Sequence, residues 1–73
     1  MIYSLDLTQL EIGKCYEYEG YRMKFILLGK TKRMFGESLK IFCDGKLIED
    51  LYFGMHSKFA EIKWIHTVRA VKK

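Results

Sequence analysis

The chain has 73 residues, a net charge of +4, 49% apolar and 30% charged residues, and no proline. That is the composition of a globular domain and excludes a disordered tail or a linker. A domain of this size buries only about 60% of the surface its unfolded chain exposes, which leaves little room for a deep catalytic cleft.

One domain, 1–73, is therefore expected. The longest apolar run, residues 25–28 (FILL), is far short of the about 20 residues that cross a bilayer. No charged segment followed by an apolar one opens the chain, so the expected location is cytoplasmic, with no membrane partner. Cys15 and Cys43 form no CxxC pair and are too few for a disulfide framework; both read as reduced, small apolar residues.

In chain order, residues 6–10 (DLTQL) read as a single helical turn with Asp6 or Thr8 as its cap. Residues 2–5 offer a short extra strand before it, and Gly13 ends it. Residues 14–29 (KCYEYEGYRMKFILLG) read as a hairpin turning at Glu19 and Gly20. Its second arm alternates Tyr21, Met23, Phe25 and Leu27 against Arg22, Lys24, Ile26 and Leu28. Because that arm ends apolar on both faces, it is expected in the middle of a sheet. Lys30, Lys32 and Arg33 are then expected in the loop after it, between Gly29 and Gly36.

Residues 39–53 form a second predicted hairpin about Asp44 and Gly45, since a type I′ turn needs positive φ at both central residues. A two-residue loop pairs Phe42 with Leu47, Ile41 with Ile48 and Lys40 with Glu49, the last a favourable charge pair. Residues 54–59 (GMHSKF) read as a loop or brief 3₁₀ turn. Residues 60–71 alternate strictly and read as a long strand with Ile62, Trp64 and Val68 on its buried face.

Five main strands, six with residues 2–5, and no helix long enough to cover them imply a mainly β fold. Such a sheet hides its apolar face by curling on itself into a small, strongly bent antiparallel barrel. In strand count and turn placement the chain resembles the SH3-like barrels. The alternative is a small α+β domain with one short helix near residues 55–61. In style the sequence also resembles a short open reading frame of a phage or mobile element, which implies a host enzyme or a nucleic-acid-handling defence complex as target.

Chemistry-bearing patterns are sparse. Cys15, Cys43, His56 and His66 are spaced C-x27-C-x12-H-x9-H, without the close pairs from which zinc sites are built. The same residues are the only nominal Cys/His set for nucleophilic catalysis, on a scaffold with no room for a preorganised shell. Gly29 and Gly36 flank KTKRMF, but no glycine-rich loop opens a helix there. No catalytic residue, metal or cofactor is expected, and the chain is read as a non-enzyme.

Charge comes in alternating blocks. Residues 21–36 carry Arg22, Lys24, Lys30, Lys32 and Arg33 with no acid, and residues 1–20 carry an acidic excess through Asp6, Glu11, Glu17 and Glu19. If the first arm of the 14–29 hairpin lay between the second and fifth strands, cross-strand pairing would account for much of this alternation. Arg33, Met34 and Phe35, with Tyr52 and Met55, place interface-favoured residue types in or beside loops. The leading expectation is a protein-binding module, an adaptor, modulator or inhibitor of a larger protein or nucleoprotein. Arg33, Met34, Phe35, Tyr52 and Met55 would be its contacts and Lys30 and Lys32 its steering charges. The same surface would fit a homodimer. The second expectation is direct nucleic-acid binding by Arg22, Lys24, Lys32, Arg33 and Lys63, with Tyr21 or Phe35 stacking on bases.

Overall fold

The computed structural model describes residues 4–63. The predicted strand of residues 60–71 falls largely outside them, and so do Trp64, His66 and Val68. Six strands form one antiparallel sheet: β1 (Leu5–Asp6), β2 (Cys15–Tyr18), β3 (Met23–Lys32), β4 (Gly36–Cys43), β5 (Lys46–Gly54) and β6 (Lys58–Ile62). Their order across the sheet is β1-β6-β2-β3-β4-β5. A 3₁₀ turn, Leu7–Gln9, follows β1 with Asp6 at its cap; the Gln9 side chain accepts from the Asp6 amide at 2.7 Å.

The two hairpin expectations fare differently. Asp44 and Gly45 both take positive φ, at 52° and 76°, and close a two-residue turn from Cys43 to Lys46. Phe42 faces Leu47 and Ile41 faces Ile48, as the turn chemistry implies. Lys40 does not face Glu49. The register steps from Ile41 and Ile48 to Leu39 and Leu51, so Lys40 stands against both Glu49 and Asp50 in a bulge. The first hairpin turns more widely than expected. Tyr18 pairs with Met23, which leaves Glu19, Gly20, Tyr21 and Arg22 in the turn. Arg22 is therefore not in the strand; it sits in the left-handed region at φ 55°.

β3 is longer than the sequence suggests. Lys30 and Lys32 belong to it and pair with Leu39 and Glu37, so neither lies in a loop. Gly29 does not end the strand; it follows a bulge at Leu28 and faces Lys40. Residues 55–61 hold a turn and part of β6, which removes the helix of the α+β alternative.

The core lies on one face of the sheet. Tyr16, Phe25, Leu27, Leu39, Ile41, Phe53 and Phe59 fill it, and Leu7 and Leu10 close its end. Phe59 is the inward residue of β6, whereas Ala60 and Ile62 take the other face half-buried. The expectation that Ile62 marks the buried side is thus inverted: Phe59, just before the predicted strand, takes the core face, and alternation then sends Ala60 and Ile62 to the other. The sheet bends until Phe53 on β5 meets Phe59 on β6 at 5.4 Å. It remains one sheet of six strands, with no ladder pairing β1 to β5 among the described residues, so a closed barrel is not what the strand pairing gives.

Candidate functional site

The corner where β3 turns into β4 and β5 ends gathers the sequence's interaction candidates. The Arg33 amide donates to the Gly36 carbonyl at 2.9 Å and closes the turn, with Met34 and Phe35 at its tip. Gly36 faces Gly54 across the sheet, and Met55 follows Gly54 directly. Tyr52 faces Ser38, and its ring lies across Gly36: a Cβ there would sit 2.8 Å from the phenol oxygen. Met34, Phe35, Tyr52 and Met55 are 85%, 72%, 52% and 47% exposed. Four large apolar side chains thus crowd one end of the molecule without folding into the core. Ile12, Tyr21, Leu28 and Leu47 are exposed as well, but the strand register gathers these four at one corner, and a gathered apolar patch is what marks an interaction surface. Met34 and Phe35 do not fold back over the end of the sheet.

Arg33 is held rather than free. Its Nε donates to Ser38 Oγ at 2.9 Å and its guanidinium lies 3.9 Å from Asp50. It straps the turn to β4 and β5 beside Tyr52. A polar hollow of about 430 Å³ opens next to it, lined by Thr31, Arg33, Ser38, Lys40, Glu49 and Asp50 among others. Apolar corner and polar, mixed-charge surround together have the make-up of an interface core and rim.

Lys30 does not belong to this surface as a steering charge. Its Nζ donates to the Leu10 carbonyl at 3.0 Å and lies 3.7 Å from the Glu37 carboxylate, which is itself buried. The pair seals the end of the core. Gly29 has the look of a strand end, which hides this pair in the sequence; Glu37, beyond the turn and across from Lys32, is the signal that extends β3. Lys32 stays exposed and forms no ion pair among the described residues.

The nucleic-acid set is split. Tyr21 and Arg22 precede β3 and Lys24 is its second residue, whereas Lys32 is its last and Arg33 and Phe35 lie beyond it, so the set is divided between the two ends of a ten-residue strand. Lys63 follows β6, one step past the pairing of Ile62 with Cys15. At the first end Tyr21 stacks on Tyr18, ring centroids 4.5 Å apart and 10° from parallel, leaving Tyr21 largely exposed. Local charge there is balanced: Lys24 faces Glu17, and Glu19 accepts from Ser4 Oγ at 3.0 Å. β2 does lie between β3 and β6, so the acidic strand residue Glu17 is placed beside the basic arm as the alternation implied.

Cys15 and Cys43 are free, buried and on opposite faces of the sheet, Cys15 beside Ile26 and Ile62 and Cys43 in the core. Burial first, and then Glu61 near Cys15 and Asp44 near Cys43, raises both thiols above the ordinary range. Glu11 foremost, then Glu61, raises Lys14, which bridges them at 3.5 and 3.7 Å. Among the described residues no three His, Cys, Asp or Glu side chains gather as a metal site, and no helix is long and apolar enough to cross a membrane. Comparison with protein-family models, curated proteins and solved structures finds no match to this chain.

Proposed function

We propose that this chain is a non-enzymatic binding module that docks a larger protein and acts as its adaptor, modulator or inhibitor. The observation that carries the reading is the exposed corner of Met34, Phe35, Tyr52 and Met55, assembled from two strand ends and a turn. Interface hot spots favour aromatic anchors inside a polar rim, and Arg33, Lys32 and Asp50 supply that rim. We also propose that the bent sheet is an SH3-like barrel in outline. The order β6-β2-β3-β4-β5 and the contact between Phe53 and Phe59 support that reading.

A photoactivatable methionine at position 34 tests the docking surface. Irradiation in extract of the source cell should cross-link one protein, and the same probe placed at Tyr21 should not. Cross-links from position 21 alone would place the working surface at the other end of β3.

The second reading, nucleic-acid binding, has one observation in its favour: the exposed ring of Tyr21, set by Tyr18 and next to Arg22, offers a flat stacking surface. Binding of single-stranded oligonucleotide that weakens steeply with salt, and is lost in Tyr21→Ala, would favour it over the corner.

A further inference from the structure

We propose that β5 accepts an extended, basic segment of the partner as an added strand, an inference that rests on the corner being the docking surface. β5 ends the sheet, and among the described residues no strand pairs with its outer edge. A free edge presents unpaired amides and carbonyls and is a ready template for another chain. Residues 51–54 hold a regular register with β4, Leu51 facing Leu39 and Gly54 facing Gly36, so their backbone is extended and unbroken. Successive side chains alternate: Leu51 and Phe53 go to the core, while Tyr52 goes to the outer face beside the corner. An arriving strand would thus meet a pleated backbone and, on one face, an apolar seat.

The charge of the edge specifies the arriving segment. The chain is basic overall, yet the bulge that precedes residues 51–54 presents Glu49 and Asp50, both exposed. Asp50 is shared with Arg33, and Glu49 forms no ion pair among the described residues. A second copy paired along the whole of β5 would set Asp50 against Asp50 at the strand's centre, and like charges directly opposite are unfavourable. A segment with lysine or arginine opposite the bulge and a β-branched residue beside Tyr52 satisfies both features.

The probe is a ten-residue peptide alternating valine and lysine, added to the full chain while amide exchange is followed by NMR. At saturation the edge-facing amides of residues 51–54, every second one, should exchange at least about tenfold more slowly, while those already bonded to β4 change less. N-methylation of alternate peptide nitrogens on the pairing edge should abolish the protection. Exchanging lysine for glutamate in the peptide, or Glu49→Lys in the protein, should weaken binding by about tenfold. Equal binding by the N-methylated peptide, or shifts confined to Met34 and Phe35 without amide protection, overturns strand addition. Protection that grows with protein concentration and needs no peptide also overturns it, in favour of a second copy. Cross-linking from position 34 is unaffected by any of these outcomes, so loss of the strand inference and loss of the docking surface are told apart.

Discussion

Phe53 and Phe59 meet with ring centroids 5.4 Å apart and planes 67° from parallel, although three strands lie between their own in the sheet. In a flat sheet four strand spacings would hold them about 19 Å apart. The bend that joins them draws on bulges at Leu28 and at Glu49 with Asp50, since a bulge kinks its strand and sharpens the twist. Tyr18 ties the closure, 4.9 Å from Phe53 and 5.2 Å from Phe59. Phe59→Ala should therefore cost about 3–5 kcal/mol in urea unfolding, the usual loss for emptying a packed aromatic site. A double-mutant cycle with Phe53→Ala should return a coupling of about 0.5–1.5 kcal/mol. Strict additivity would mean that the two rings do not support each other.

Gly36 is required for a different reason. A Cβ added there would come 2.1 Å from the Phe53 carbonyl oxygen and 2.9 Å from Tyr52 Cζ. The first neighbour is backbone and cannot swing aside. Gly36→Ala should cost about 2–3 kcal/mol through overpacking and displace the Tyr52 ring. Gly54 faces Gly36 but has open space where its Cβ would be, so Gly54→Ala serves as the control, with a much smaller loss. Equal losses at both positions would show that strand propensity, not the close approach, sets the cost.

Much of this sheet is legible in the sequence where local chemistry dictates it. Asp44 and Gly45 specify a turn on their own, and alternation in residues 23–27 names the inward residues Met23, Phe25 and Leu27. What stayed hidden depends on non-local pairing. Gly29 resembles a strand end until Lys30 and Lys32 are seen to pair with Leu39 and Glu37 on the next strand. The bulge that separates Lys40 from a simple pairing with Glu49 leaves no local mark, because Glu49 and Asp50 are ordinary exposed strand residues. The corner was half legible: Met34, Phe35, Tyr52 and Met55 stood out by type, but only the facing of Gly36 and Gly54 brings them together.

Lys30 separates structural from steering charge. Its ammonium bonds the Leu10 carbonyl and pairs with the buried Glu37. Lys30→Met removes the cation and leaves a carboxylate under the sheet, so it should cost about 2–3 kcal/mol. Adding Glu37→Gln should recover part of that loss, since the second change removes the stranded charge. Lys32→Met, at an exposed position without an ion pair among the described residues, should change the unfolding midpoint little. A neutral Lys30→Met would return that lysine to the pool of solvent charges.

The corner should be dispensable for folding and necessary for docking. Met34→Ala combined with Phe35→Ala removes side chains that are mostly in water, so stability should change by less than about 0.5 kcal/mol. Partner capture should fall by more than about tenfold if these are the interface anchors. Arg33→Glu is the less clean test. It breaks the bond to Ser38 and sets a carboxylate beside Asp50, so it perturbs fold and surface together. Undiminished capture by the Met34→Ala, Phe35→Ala variant would end the reading of this corner as a docking site.

The two thiols make stability pH-dependent on the alkaline side. Burial, assisted by Glu61 near Cys15 and Asp44 near Cys43, raises both above the ordinary thiol value in the folded chain. In the unfolded chain each ionises near the usual value of about 8.5. Unfolding therefore releases protons between the unfolded and folded values, and protons favour the state that holds them. The contribution is complete below about pH 8.5 and is lost as pH rises through the folded-state values. The urea midpoint should hold from neutral pH to that point and then decline. In the Cys15→Ala, Cys43→Ala variant the alkaline decline should be shallower, whatever its stability at neutral pH. The same burial should make both thiols slower to alkylate in the folded chain than in urea, because the thiolate is the reactive form and access is closed. An equally steep decline in the double variant would assign the alkaline loss to Tyr16, whose buried phenol is also raised by desolvation while it accepts the Glu11 amide at 2.8 Å.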